Sequence, residues 1–409
     1  MAQRIVMGER FSPACRCSFG LVLAVALAVA PLPGQRIRLP ADLAELEKRA
    51  HQDSNDAAVH YNVALAYWNA KRWDDTDSAL RLAVRLDPQF AAAYMALAGL
   101  PYARRPQLFE EEYEQRVPEA WRPRVEESER MYRRSVIIDP LVEVRLSYVI
   151  VPSAGKLRTS LAVLFGDWER DYVDGVSFYF EAKYEDAYQR LQRVYNELDA
   201  DRHGSRLWNT LLFWHGLAAA QTRRHDEAVS DFTTIVERYE SQEAAARDTT
   251  LRVPLKTNDY RYVLAVLKQR AGQIDEAVRL YRRALEEDIG LYMAHVRLAE
   301  LHETTGGWGG AVEERRHAVN AAPDNASLLL DLGMTLAKAG RWVDAEEPLR
   351  QALEANARDS RVPYYLGIVQ QQLGKTEAAR ASFDRFLSLA PSRYERQIAN
   401  AKQRISALQ

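Results

Sequence analysis

A chain of 409 residues with 47% hydrophobic and 27% charged side chains has the composition of an ordered protein. Its formal net charge of -2 excludes the basic footprint by which nucleic acid or an anionic surface is held. Length alone predicts two or three domains at about 150 residues each, a prior that repeats would remove because an array grows by adding units.

Residues 1–34 stand apart. Arg4, Arg10 and Arg16 precede an uncharged apolar run from Phe19 to Ala30, which Pro31 and Pro33 stop. That run is too short for a hydrocarbon core needing about 20 residues. A basic start, a short apolar run and small residues at Ala26, Ala28 and Ala30 predict an export signal cleaved after Ala28 or Ala30, with an uncleaved membrane anchor as the alternative. The predicted location is the periplasm or cell envelope, and membrane contact is expected only through this segment. Cys15 and Cys17 both precede the apolar run, so cleavage leaves a mature chain with no disulfide and no thiolate nucleophile.

Residues 36–140 are predicted to hold an N-terminal cap helix, with Leu43, Leu46 and Ala50 on one face, and two helical hairpins. The first hairpin spans Ala57 to Phe90, with Val63, Ala64, Tyr67, Trp73, Leu80 and Ala83 at helical spacing and Pro88 closing it. The second begins at Ala91, and its second helix appears only near Arg124 to Ile138. The insert between them carries Pro101, Pro106, Pro118 and Pro123, which predicts a loop with one helical turn set in it. Residues 141–167 are an irregular connector in which strand and helix periodicities both fit Leu141 to Val151, and the flanking helices favour helix. Two hairpins follow in 168–242, then a linker at 243–257. Residues 394–409 are predicted to form a C-terminal capping helix with Ile398, Ile405 and Leu408 apolar.

Between the linker and that helix, residues 258–393 form four blocks of one length. Gly272, Gly306, Gly340 and Gly374 recur at one constant interval, and Ala277, Ala311, Ala345 and Ala379 keep the same interval. Within one block Leu329, Leu332, Gly333 and Leu336 share a helical face. After Gly340 a second face runs through Trp342, Ala345, Leu349 and Ala352. Each block is therefore a helical hairpin whose axes approach closely at Gly333 and Ala345, and hairpins must stack to bury their apolar faces.

These positions resemble the tetratricopeptide repeat, in which small residues recur in both helices, an aromatic or leucine packs the second, and a proline often closes the unit. Ala299, Gly306, Trp308, Ala311, Ala318 and Pro323 follow the pattern, as do Gly367, Gly374, Ala379, Phe383, Phe386 and Pro391. Thr76 replaces its usual alanine and Arg315 its usual apolar ring. The resemblance implies an all-α, right-handed solenoid of antiparallel helix pairs, about eight repeats with some irregular. It also implies that the first helix of each pair lines a concave groove. Carried onto this sequence, the groove positions include Tyr61, Trp68, Met95, Tyr172, Tyr179, Phe213, Trp214, Tyr262, Met293, Tyr364 and Tyr365. Their apolar contact would hold a protein or peptide partner. The alternative is that these rings pack against one another.

Catalytic signatures are missing from the sequence. It has no H-E-x-x-H and no G-x-S-x-G, and Gly155-Lys156 lacks the flanking residues of a phosphate loop. His295 and His302 stand seven apart, wider than the three or four residues of a helical metal pair, and are read as packing, like His215. Gly306-Gly307-Trp308-Gly309-Gly310 falls on turn and packing positions. A carboxylate-binding ring of cations would need more than Arg297 and Lys338. The expected function is an exported scaffold that performs no catalysis, with no cofactor, metal, nucleic acid or small-molecule substrate. The alternative is an envelope enzyme or enzyme accessory using Leu141 to Gly166 and the proline-rich insert as its site.

Overall fold

A computed structural model describes residues 43–105, 107–108, 111, 116–142, 167–198, 206–243 and 256–408. The export segment at 1–34 and nearly all of the 141–167 connector lie outside these residues. The described residues hold 18 α-helices. They are α1 (Leu43–Gln52), α2 (Ala57–Asn69), α3 (Trp73–Leu86), α4 (Ala91–Arg104), α5 (Arg122–Ile138), α6 (Asp167–Phe180), α7 (Tyr184–Glu197), α8 (Arg206–Gln221) and α9 (His225–Glu243). The series continues with α10 (Thr257–Arg270), α11 (Ile274–Glu287), α12 (Tyr292–Thr304), α13 (Trp308–Ala321), α14 (Ala326–Lys338), α15 (Trp342–Ala355), α16 (Arg361–Gln372), α17 (Thr376–Leu389) and α18 (Glu395–Ala407). The fold is an all-α solenoid of consecutive helix pairs.

Small side chains set the closeness of each pair. A Cβ placed on Gly333 of α14 would lie 2.5 Å from Leu349 Cγ and 3.3 Å from the Ala345 carbonyl oxygen on α15. Gly175 of α6 meets Leu191 of α7 at 2.6 Å in the same way, and Gly367 of α16 meets Phe383 of α17 at 2.8 Å. Ala277, Ala311, Ala345 and Ala379 are wholly buried on the facing helices. Contact at this range leaves no room for a methyl group, so the hairpin register is fixed by these positions.

The turn between paired helices has one conformation in seven of the described pairs. Gly272, Gly306, Gly340 and Gly374 take φ between 72° and 78°, the left-handed geometry that ends a helix. Lys71, Ala182 and Arg223 occupy the same turn in the earlier pairs, with φ of 57°, 55° and 65°. A Cβ there costs about 1–2 kcal/mol, so the packing of the flanking helices imposes the turn where glycine is missing.

The chain divides into two compact units. One contains α6 to α9 with residues 101–126. Helix α4 runs through Pro101 to Arg104 instead of stopping where the loop was expected. A proline lacks only its own N–H, and its carbonyl still accepts from Arg105 N–H at 3.0 Å. Within the insert Leu108 and Glu111 are helical, and a 3-10 turn at Glu119–Trp121 directly precedes α5.

The other unit joins residues 37–100 and 127–143 to 254–409. Its α5 belongs beside α10: Arg133 donates to both carboxylate oxygens of the wholly buried Asp259, at 2.8 to 3.1 Å, and reaches Asp288 at 3.2 Å. Asp259 also accepts from the backbone N–H of Lys256 and so caps the start of α10. Ile137 of α5 shares an apolar core with Tyr262, Met293, Val296 and Leu328. At the C-terminal end, α18 covers the last pair through Ala401, Ile398 and Ile405, packed with Phe383 and Phe386. Thr76, in an alanine's place, is buried with its hydroxyl donating to the Arg72 carbonyl at 2.9 Å.

Candidate functional site: the inner wall of the C-terminal array

The first helices of the four C-terminal pairs, α10, α12, α14 and α16, present equivalent side chains one repeat apart. One row is Val263, Arg297, Asp331 and Tyr365; a second is Val266, Glu300, Met334 and Ile368. Val263 and Val266 are buried, whereas every later member of both rows keeps some accessible surface. The wall is therefore closed at α10 and open from α12 onward.

Most of the residues expected to line a groove are consumed by packing instead. Tyr61, Trp68, Tyr172, Tyr179, Phe213, Trp214, Tyr262 and Met293 are buried. Tyr61 lies 5.0 Å from Phe90 between ring centres, and Trp68 meets Trp73 edge-on at 5.9 Å. Trp214 sits within 5.5 Å of Tyr179, Phe180 and Phe213. Tyr262 packs on Tyr281 at 5.8 Å, and Met293 lies in the core that Ile137 completes. Interlocked aromatic edges and faces are favourable in themselves and leave no ring face for a partner.

Met95, Tyr364 and Tyr365 are half-buried. Tyr364 packs 5.0 Å from Phe386 and donates its hydroxyl to Asn400 of α18 at 3.0 Å. Tyr365 meets Tyr364 edge-on at 5.4 Å and packs against the core around Leu336 and Leu366, yet keeps part of its surface on the open wall. Its open-wall neighbours Asp331 and Met334 were not singled out from sequence. They stand one repeat before Tyr365 and Ile368, a relation that would have found both.

A charged cluster stands beside them. Arg315 occupies the place held by Tyr281, Leu349 and Phe383 in the other three second helices, and it is buried. Its guanidinium donates to Glu303 at 3.1 Å and to Asp331 at 3.4 Å, so it bridges α12 and α14. Glu303 also accepts from Thr335 at 2.8 Å and Lys338 at 3.1 Å. Burial alone would raise the Glu303 carboxyl, but these three donors outweigh it and hold its pKa below the usual value. Asp331 has the opposite balance: burial raises its pKa against the pull of Arg315 and Arg361. Asp331 is thus an under-compensated carboxylate, its side chain 29% exposed, on the wall between Met334 and Tyr365. Such a group accepts a hydrogen bond from a cation or an N–H donor readily.

The histidines serve packing. His295 hydrogen-bonds Glu314 at 2.7 Å and stacks on His317, while the His302 ring fills the space that a Cβ on Gly310 would take. His215 is buried and bonded to Asp231 at 2.6 Å and Gln192 at 2.9 Å. Among the described residues no group of three or more His, Cys, Asp or Glu is arranged to hold a metal ion.

Comparison with known proteins agrees with the repeat register. Residues 262–326 and 330–394 match the family model of the tetratricopeptide repeat. A TPR repeat-containing protein of Synechococcus elongatus is 33% identical over 147 residues, which is 35% of this chain and 36% of that protein. The match thus spans about a third of the curated relative's length. Among solved structures, MamA AMB-1 is 18% identical, covering 46% of this chain and 93% of its own, with a TM-score of 0.34. Yeast Tom70 is 11% identical, covering 88% and 91%, with a TM-score of 0.38. With matched repeats over residues 262–326 and 330–394, left-handed turns at one position of seven helix pairs, and small residues at the helix contacts, the C-terminal array is one of tetratricopeptide repeats.

Proposed function

We propose that the protein is an exported scaffold that performs no catalysis and holds a protein or peptide partner along the open inner wall of the C-terminal array. Tetratricopeptide-repeat proteins typically bind protein partners, which supports the general kind of work. The observation that carries the reading is the strip of Asp331, Met334 and Tyr365, accessible on a wall that is closed at α10 and open from α12 onward. Apolar surface on Met334 and Tyr365 beside an under-compensated carboxylate suits a peptide that offers an apolar side chain next to a lysine or arginine. Burying one such apolar side chain contributes about 1.5–3 kcal/mol, enough for anchors of this kind to dominate binding.

The test is affinity capture with the mature chain and with an Asp331→Asn, Met334→Ala, Tyr365→Ala variant of unchanged helicity. A partner retained by the parent is expected to fall at least tenfold with the variant; equal capture overturns the wall as the binding surface. Export rests on the pattern at 1–34. Mature-end sequencing is expected to begin just after Ala28 or Ala30, and a mature end at Met1 overturns it. The reading as an envelope enzyme rests on residues 141–166 with the proline-rich insert; nearly all of the former lie outside the described residues, and nothing among the described residues of the insert favours it.

A further inference from the structure

We propose that residues 43–90, helices α1 to α3, act as a cover in cis over one end of the inner wall, held shut by a latch of charged and polar contacts that opens independently of the array. Both the cover and the array belong to the same compact unit, so the contacts lie within one body.

The latch joins two turns of the cover to two loops of the array that are far removed in sequence. At the turn before α2, Asp56 caps the helix by accepting from Ala58 N–H, and its carboxylate receives both Nε and Nη2 of Arg393. Asp53 accepts from the backbone N–H of Ser392 at 2.8 Å and from its hydroxyl at 2.9 Å. Arg358 donates to Asn55 at 2.8 Å and to the Ser54 carbonyl at 2.6 Å. At the turn after α3, Asn356 donates to the Leu86 carbonyl at 3.2 Å, and Asp87 acts electrostatically on Arg361. Arg361 opens α16, and Arg393 stands two residues before α18. The cover therefore lies at the N-terminal ends of the helices that carry Tyr365 and close the stack.

Contacts of this chemistry differ from those within the stack. Hairpins are joined by buried small and apolar residues, whereas in the latch the Asp56 carboxylate is buried and its partner Arg393, with Arg358 and Asp53, is exposed or half-exposed. Contacts whose cationic side faces water are weakened by salt. Segments held this way are drawn from the low-stability end of a structure and open locally before the core does. The consequence, that a partner's access to the wall follows the state of the latch, rests on the proposed function; the latch itself is measured with no partner present, so the two fail separately.

The experiment is hydrogen–deuterium exchange on the full chain. Parent, an Arg358→Glu/Arg393→Glu variant and an Arg350→Glu control on the outer helix α15 are compared in 0.05 and 0.5 M NaCl, as probe concentrations on the scale of charge screening. The expected result is exchange at least tenfold faster at residues 53–57 and 389–394 in the double variant, and in the parent at high salt. Residues 326–355 and the control keep parent rates at low salt. Unchanged exchange at 53–57 and 389–394 in the double variant overturns the latch. Acceleration at 326–355 by the same factor also overturns it, because the contact then belongs to the cooperative core.

Discussion

Replacing His215 with leucine is expected to destabilise the α7–α9 region by about 3 kcal/mol, the upper end of the cost of leaving a buried polar group without its hydrogen-bond partner, because the group left behind is a carboxylate. His215 on α8 is buried, with one ring nitrogen 2.6 Å from Asp231 on α9 and the other 2.9 Å from Gln192 on α7. Its ring lies between Tyr188 and Tyr195, each centred 5.2 Å away. One side chain thus ties three successive helices across two hairpins. Leucine fills much of the volume but leaves Asp231 buried without its counter-group. Burial already pushes the Asp231 carboxyl upward, and His215 is the opposing influence.

The sign of the pH dependence follows. A carboxylate whose folded pKa is raised penalises the folded state when ionised, so the variant's deficit is full above that raised pKa. It shrinks as pH falls and Asp231 takes up a proton. Exchange of the α8 and α9 amides is expected to rise a hundredfold or more near neutral pH and by less in acid. The His215→Leu/Asp231→Leu pair is expected to recover most of the loss, since two apolar groups demand no partner. Parent-like exchange in the single variant would show that the pair is not shielded from water.

Ala345→Arg is the harsher change. Ala345 is wholly buried on α15, opposite Gly333 and within the core formed by Leu332, Leu336, Leu349, Val362 and Leu366. Overpacking costs about 1–3 kcal/mol, and an unpaired guanidinium among carbon atoms adds several more. The total is expected to exceed about 4 kcal/mol, the range reserved for failures of a core. Repeats are stabilised by their neighbours, so the loss is expected to spread to α14 and α16. Arg350→Ala, on the exposed side of the same helix, is expected to change stability by no more than about 0.5 kcal/mol. Urea denaturation followed by circular dichroism separates the two, and equal midpoints would mean the helix register is misplaced.

How far the sequence could be read depended on whether a feature repeats. Glycine and alanine at a constant interval mark where helices touch, because any larger side chain there would force them apart; the hairpins and their order follow from that alone. Lys71, Ala182 and Arg223 broke the glycine pattern yet share its turn, since packing on either side overrides a local preference. The wall was less legible. A repeat position says which side of a helix a residue occupies and nothing of what covers it, so Tyr262 and Met293 looked available although Ile137, from a much earlier part of the chain, closes on them. Arg315 stood out as a departure from the pattern. Its partners Glu303 and Asp331 did not, because charge pairing between a second helix and the first helices on either side of it carries no period. The contact of Asp56 with Arg393 had no sequence signal at all.

The claim on which the account depends is that the open strip of α14 and α16 meets the partner. A photo-crosslinking residue placed at Tyr365 tests it most directly, against the same residue at Val343, which is 75% exposed on the second helix of the hairpin. A covalent partner adduct formed from position 365 and absent from 343 is the predicted result. An adduct from 343 with none from 365 would contradict the account and move the working surface to the outer face.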